Sequence, residues 1–180
     1  MYQTQPALVG SIESLFQRLA DLLLKISDKN YTKPLQLLSG ATVGKQVRHC
    51  LEVAETLVSG FGSDLISYDQ RARNPIYENS PKATAERILE LAKEFNRIDW
   101  EGDIKVSYLV DPNSGIENIL DSSWERELLY VQEHTIHHEA IIRVALEHMG
   151  FEDIPESFGF AISTLQYNSS RPLLAWDPVI

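Results

Sequence analysis

Two histidines one helical turn apart, His134 and His138, lie in the segment Glu133-His134-Thr135-Ile136-His137-His138-Glu139. At 3.6 residues per turn they are separated by about 40° around a helix. Val131, Ile141 and Ala145 fall within about 60° of His134, so the pair is centred on an apolar stripe. Burying an imidazole is costly unless the ring finds a partner. The two rings must therefore take hydrogen bonds or share an ion, and the i, i+4 separation suits chelation of one divalent metal. His49, on an earlier helical segment, is the candidate third ligand. It lies about 140° from the stripe of Val47, Cys50, Leu51, Ala54 and Leu57 and shares a row with Val53. That row lines a polar cavity or faces water. His137, about 60° to the other side of His134, is a candidate spare ligand or supporting group. His148 reads as a favourable charge near a helix C-terminus.

The competing reading is a metal-free cluster, which requires hydrogen-bond partners for both His134 and His138. The segment is not a metalloprotease helix, because Thr135 rather than Glu follows the first histidine and no Glu is placed to activate water. Cys50 beside His49 suggests a nucleophile, but adjacent helical residues do not face one another, and a buried structural thiol is the simpler assignment. Tyr68, Arg71 and Arg73, on a polar loop, are candidates for the mouth of a substrate pocket, with the arginines suited to an acidic group. No phosphate-cradling glycine loop and no nucleophile elbow is present. All-imidazole ligation suits zinc, nickel, copper or iron, with zinc and nickel taken first.

These residues need helices to position them. Leu8, Ile12, Leu15, Phe16, Leu19, Leu22, Leu23 and Ile26 recur at helical spacing across 7–26. A second helix is expected over about 43–58, capped by Ser39 or Thr42 and ended by Gly60 and Gly62. Residues 60–80 read as a polar loop. Ser80-Pro81 starts a third helix with Ile88, Leu91, Ala92, Phe95 and Ile98 on its apolar side. Alternation of Ile104, Val106, Tyr108 and Val110 with Lys105, Ser107 and Leu109, followed by Asp111-Pro112-Asn113-Ser114-Gly115, predicts a short β-hairpin. Ser122 and Glu125 form a capping box for a fourth helix that ends at Gly150. Residues 151–180, with Pro155, Gly159, Pro172 and Pro178, read as a wrapping tail with one short helix near 161–166. The expected architecture is α-dominated: an antiparallel four-helix bundle with a short β-hairpin inserted before the last long helix, in one domain spanning 1–180.

Bulk properties narrow the function classes. The chain has 180 residues, 43% of them hydrophobic, which is enough for one real core. Sixteen basic against 26 acidic residues leave a net charge of −10. A nucleic-acid binder needs a basic footprint and an anionic membrane needs a polybasic segment, so both partner classes are set aside. One cysteine excludes an intrachain disulfide and a cysteine-rich zinc site. The first six residues lack a signal-like n-region, and no apolar run approaches the roughly 20 residues of a membrane span, which makes a cytoplasmic protein the expectation.

Three stretches carry a family likeness: Val43-Gly44-Lys45-Gln46-Val47-Arg48-His49-Cys50-Leu51-Glu52, Tyr68-Asp69-Gln70-Arg71-Ala72-Arg73, and Glu127-Leu128-Leu129-Tyr130-Val131-Gln132-Glu133-His134-Thr135-Ile136-His137-His138. Together with Phe158-Gly159-Phe160-Ala161-Ile162-Ser163-Thr164-Leu165, they resemble the DinB-like superfamily. The resemblance implies an antiparallel four-helix bundle, often a homodimer, with His49, His134 and His138 around a divalent ion. Many such relatives carry a second histidine in helix two where this chain has Val53. Leu129, Ile136 and Ala140, on the side of the fourth helix opposite the histidines, also need cover, from the hairpin or from a second subunit.

Two functional readings follow from that likeness. Three neutral imidazoles leave a coordination position open, which suits a metal-dependent thiol transferase or hydrolase acting on a small molecule. The alternative is a non-catalytic stress-response module that binds a small molecule or a partner. No general base is apparent, which favours the second.

Overall fold

The computed structural model describes residues 5–111 and 113–170. The reading of residues 1–4, Pro112 of the hairpin turn, and Pro172 and Pro178 of the tail lie outside the described residues.

Each long segment with apolar periodicity forms a helix. These are α1 (Gln5–Leu23), α3 (Val43–Ser59), α5 (Pro81–Phe95) and α6 (Trp124–His148). Between them lie the short helices α2 (Asp28–Tyr31) and α4 (Ile76–Asn79), a 3-10 turn (Gln36–Leu38), and strands β1 (Leu65–Ser67), β2 (Asp103–Leu109) and β3 (Glu117–Ser123). Helix α7 (Ile162–Ser169) closes the described chain, slightly later than the expected 161–166. Two caps act as expected: the Thr42 hydroxyl accepts from Lys45 N at 3.0 Å and the Ser80 hydroxyl from Ala83 N at 3.3 Å. The cap of α6 is corrected. Strand β3 runs through Ser123, so the helix starts one residue later than expected and Ser123 accepts from Arg126 N. The Ser122 hydroxyl instead donates to Glu127 Oε1 at 2.6 Å.

The expected hairpin forms, β2 pairing antiparallel with β3. The expected polar loop over 60–80 is corrected. It contains β1, which joins β2 in parallel with Ile66 opposite Val106, and α4. Both are too short for periodicity to reveal, and each is held by tertiary contacts. Ile66 is buried, and the buried Tyr31 donates its hydroxyl to the carbonyl of Tyr77 in α4 at 2.6 Å. The alternation expected along β2 holds only at Ile104 and Val106. Ser107, which pairs with Ser67 and Ile119, is buried, and Tyr108 is exposed.

The fold is thus helix-rich with a small mixed sheet. Helix α1 packs on α5 and α6, and α3 packs on α6 and α5. An aromatic chain closes the core toward the sheet. Phe16 meets Phe95 edge-on at 5.6 Å, Phe95 meets Trp100 at 5.2 Å, and Trp100 meets Trp124 at 5.8 Å. The outer side of α6 is covered in part by residues 151–169: Gly159 lies directly on the Ala140 backbone, and Ala161 to Ser163 face Ile136 across a small cavity. Leu129 on that side is 44% exposed. No helix among the described residues is long and apolar enough to cross a membrane.

Candidate three-histidine centre

The packing of α3 on α6 sets the site. His49 projects from α3 toward the α6 pair, with ring centroids 4.9 Å from His134 and 4.8 Å from His138, while His134 and His138 are 4.5 Å apart. One ligating nitrogen from each ring lies within 4.8 Å of the others. Two nitrogens each about 2.1 Å from a tetrahedral cation are roughly 3.4 Å apart, so the rings would draw inward to hold one. His49 therefore occupies a row that lines a polar site, the first of the two possibilities its helical position allowed.

Each ring is held differently. His138 is buried, and its Nδ1 lies 2.9 Å from Oε1 of Gln46. An amide oxygen only accepts, so Nδ1 carries the proton and Nε2 keeps its lone pair. His134 Nε2 is buried without a hydrogen-bond partner. A metal-free cluster needs partners for both rings and finds one. Leaving the other unmade costs about 1–3 kcal/mol, a cost that a cation would remove. Burial above all, then the charge of neighbouring His49, His137 and Arg71, lowers the His134 pKa to about 4. Burial, followed by His134, His49, His137 and Arg71, lowers His138 to about 3. His49 is lowered too, by burial and then by Arg71, Arg48 and His137. All three are neutral at pH 7, the form that ligates. The donor set fits a divalent cation.

The structure does not bring every expected residue into this centre. His137 is exposed; its ring is 5.2 Å from His138 but it is not among the three converging ligands. Arg73 is exposed and pairs with nothing in the site. Arg71 is closer: its Nη1 donates to the Tyr68 carbonyl at 2.8 Å, and its charge acts on all three rings. Tyr68 sits in the wall of a cleft of about 1160 Å³ between the sheet and the start of α6. None of the three histidines lines that cleft. Tyr130 forms the partition, with its ring 5.0 Å from Tyr68 on one side and 5.3 Å from His134 on the other. Cys50 is buried, its thiol pushed up to about 12 by burial, and it donates to Thr135 Oγ1 at 3.4 Å. It is a structural thiol, as expected.

Three residues escaped the sequence reading. Gln46 precedes His49 by three positions and so shares its helical face, a signal that was available. Glu127 is buried under Tyr68, Ser122 and Arg126. Glu52 is buried beside Arg48 and Arg71. Only tertiary packing reveals the last two.

No protein-family model and no solved structure matches the chain. Among curated proteins the chain is similar to FK506-binding protein 5 of Rhizopus delemar, 35% identical over 106 residues that cover 57% of this chain and 27% of that protein. The chain thus corresponds to a minor part of the relative's length. This likeness overturns the DinB-like resemblance, and with it the expectation of a metal-dependent DinB-like thiol transferase or hydrolase. The physical reason is that apolar helical periodicity with a histidine pair is set by packing, and such motifs recur on unrelated helical proteins. What stands in the structure is the histidine cluster itself.

Proposed function

We propose that this chain is a ligand-binding helical module in which His49, His134 and His138 hold a divalent cation, with zinc or nickel the first candidates. One observation carries the reading: a buried, unpartnered His134 Nε2 within a set of three neutral imidazoles whose ligating atoms lie within 4.8 Å of one another. A bound cation supplies a Lewis-acidic point at which a ligand atom is held and polarised. Elemental analysis of protein purified without an affinity tag, followed by zinc and nickel titration, tests it. About one cation per chain is expected, lost in His134→Ala and His138→Ala variants that remain folded. A folded wild type that binds neither ion at micromolar concentration overturns it.

The likeness to a protein whose name denotes FK506 binding favours a second ligand reading. The cleft walled by Tyr68 and Tyr130 receives a small molecule, and FK506 is the probe that the relative's name supplies. Calorimetry with FK506 checks this: saturable heat, weakened in Tyr68→Ala, supports it, and no heat removes it.

The packing of α1 on α5 and α6, and of α3 on α6 and α5, supports an antiparallel four-helix bundle as the architecture. Leu129 and Val144, 44% and 50% exposed on α6, support a homodimer on that face. Sedimentation of wild type and Leu129→Glu tests it, the variant being expected to run as a monomer.

A further inference from the structure

We infer that the three-histidine centre takes a small anionic ligand, a carboxylate or similar oxyanion, whose acid group is received by Arg71 beside the cation. The inference rests on the cation reading above for one of its two contact points. Three neutral imidazoles bring no negative charge to a divalent ion, so the ion's charge is compensated from elsewhere or left bare in a partly buried site.

The protein's buried carboxylates do not supply that compensation. Among the described residues these are Glu52, Glu127 and Glu139. Glu139 is engaged by Arg18 and by Gly159 N. Glu127 accepts from Tyr68, Ser122 and Arg126. Glu52 accepts from Asn74 N at 2.7 Å and lies between two guanidiniums, its Oε2 3.6 Å from Arg48 Nε and 3.8 Å from Arg71 Nε. Glu78 on the other side is paired with Arg48.

Arg71 is held with part of its guanidinium unused. Its Nη1 is fixed by the Tyr68 carbonyl, and its Nε lies 3.8 Å from Glu52 Oε2, buried without a hydrogen-bond partner. No described group takes its Nη2. A guanidinium anchored through Nη1 and facing a carboxylate that its Nε does not reach, with Nη2 open, keeps donors to offer an oxyanion. Glu52, which it approaches, follows His49 by three residues on α3 and so lies one turn from it on the same face, which places Arg71 beside the centre. An acid group bridging the ion and Arg71 removes one of the positive charges gathered there and is bound by both. Arg73, two residues on and exposed, takes no part.

Acetate is the probe. Cation content is first measured by elemental analysis, and acetate is then titrated into zinc-loaded and cation-free protein labelled with nitrogen-15. The arginine side-chain N–H signals are followed, and the Arg71 signal is identified by its loss in Arg71→Lys. A saturable shift of the Arg71 signal is expected, with affinity at least tenfold higher in the loaded protein. Arg71→Gln, or Arg71→Lys should the first variant unfold, is expected to weaken acetate at least tenfold, read from the shifts of residues around the centre. Arg73→Gln leaves the titration unchanged. Loaded protein whose Arg71 signal does not respond, the ion being satisfied by hydroxide alone, overturns the anion inference and leaves the cation centre standing. Protein that never loads overturns the centre, and the cation-free titration then decides the Arg71 site by itself: a saturable shift sustains it and a flat response ends it.

Discussion

The amide of Gln46 fixes the proton of His138. Its Oε1 lies 2.9 Å from Nδ1 of a ring that is buried between α3 and α6. The acceptor-only oxygen holds the hydrogen on Nδ1, so Nε2 keeps a lone pair. The helix that carries His49 therefore also orients the opposite ring.

Gln46→Leu is expected to weaken zinc binding by about 10–100-fold, the usual effect of losing a group that orients a metal ligand. Gln46→Glu, which keeps the acceptor, retains most of the affinity. Competition against a chromophoric chelator measures both. Equal affinity of Gln46→Leu and wild type would remove the orienting role.

Cation-free protein loses stability in acid partly through these rings. His138 titrates near 3 in the folded state, against 6.5 for its ordinary value. The unfolded chain thus binds the proton that the fold refuses, and stability rises with pH between those values. The contribution is full above about pH 6.5 and fades as pH falls toward 3. In urea titrations from pH 6.5 to 4.5, His138→Gln is expected to show uptake of about one proton fewer on unfolding than wild type. Identical pH slopes would falsify this.

Glu139 is fully buried and is answered by Arg18 of α1, with Gly159 N donating to Oε2 at 3.2 Å. Burial raises its pKa, opposed by the Arg18 hydrogen bond and charge and by Gly159. Arg18→Met leaves that carboxylate without its cation and is expected to cost about 3–5 kcal/mol in urea denaturation at pH 7. The double variant Arg18→Met, Glu139→Gln recovers much of the loss. A single variant within experimental error of wild type would show that the pair holds nothing together.

Gly159 sits at a φ of +75°, and a Cβ there would come within 2.6 Å of the Ala140 Cα. Backbone rather than a flexible side chain is in the way, so Gly159→Ala is expected to destabilise by about 2–4 kcal/mol through left-handed strain and overlap together. The tail should lift from α6, read as faster amide exchange over 151–169. Unchanged exchange in that segment would contradict the close packing.

Local chemistry made much of the scaffold legible. Thr42, Ser80-Pro81 and Gly150 mark helix ends because caps and left-handed termini depend on a few neighbouring residues. The i, i+4 spacing of His134 and His138 is equally local. Strand β1 and helix α4 were hidden because three or four residues carry no period and owe their form to Val106 and Tyr31 far along the chain. Family likeness read from short motifs failed for a related reason, since those motifs report helix packing rather than descent.

The sequence by itself settled that His134 and His138 share one face of a long helix within an apolar surround, since 3.6 residues per turn leaves no alternative. Only the tertiary structure decided that His49 joins them, that Gln46 rather than solvent answers His138, and that Arg71 packs beside Glu52 while Arg73 and His137 are exposed. Those outcomes depend on how α3 lies against α6 and how the following loop returns across them. That angle is set by summed packing over many side chains, and no single stretch of the chain contains it.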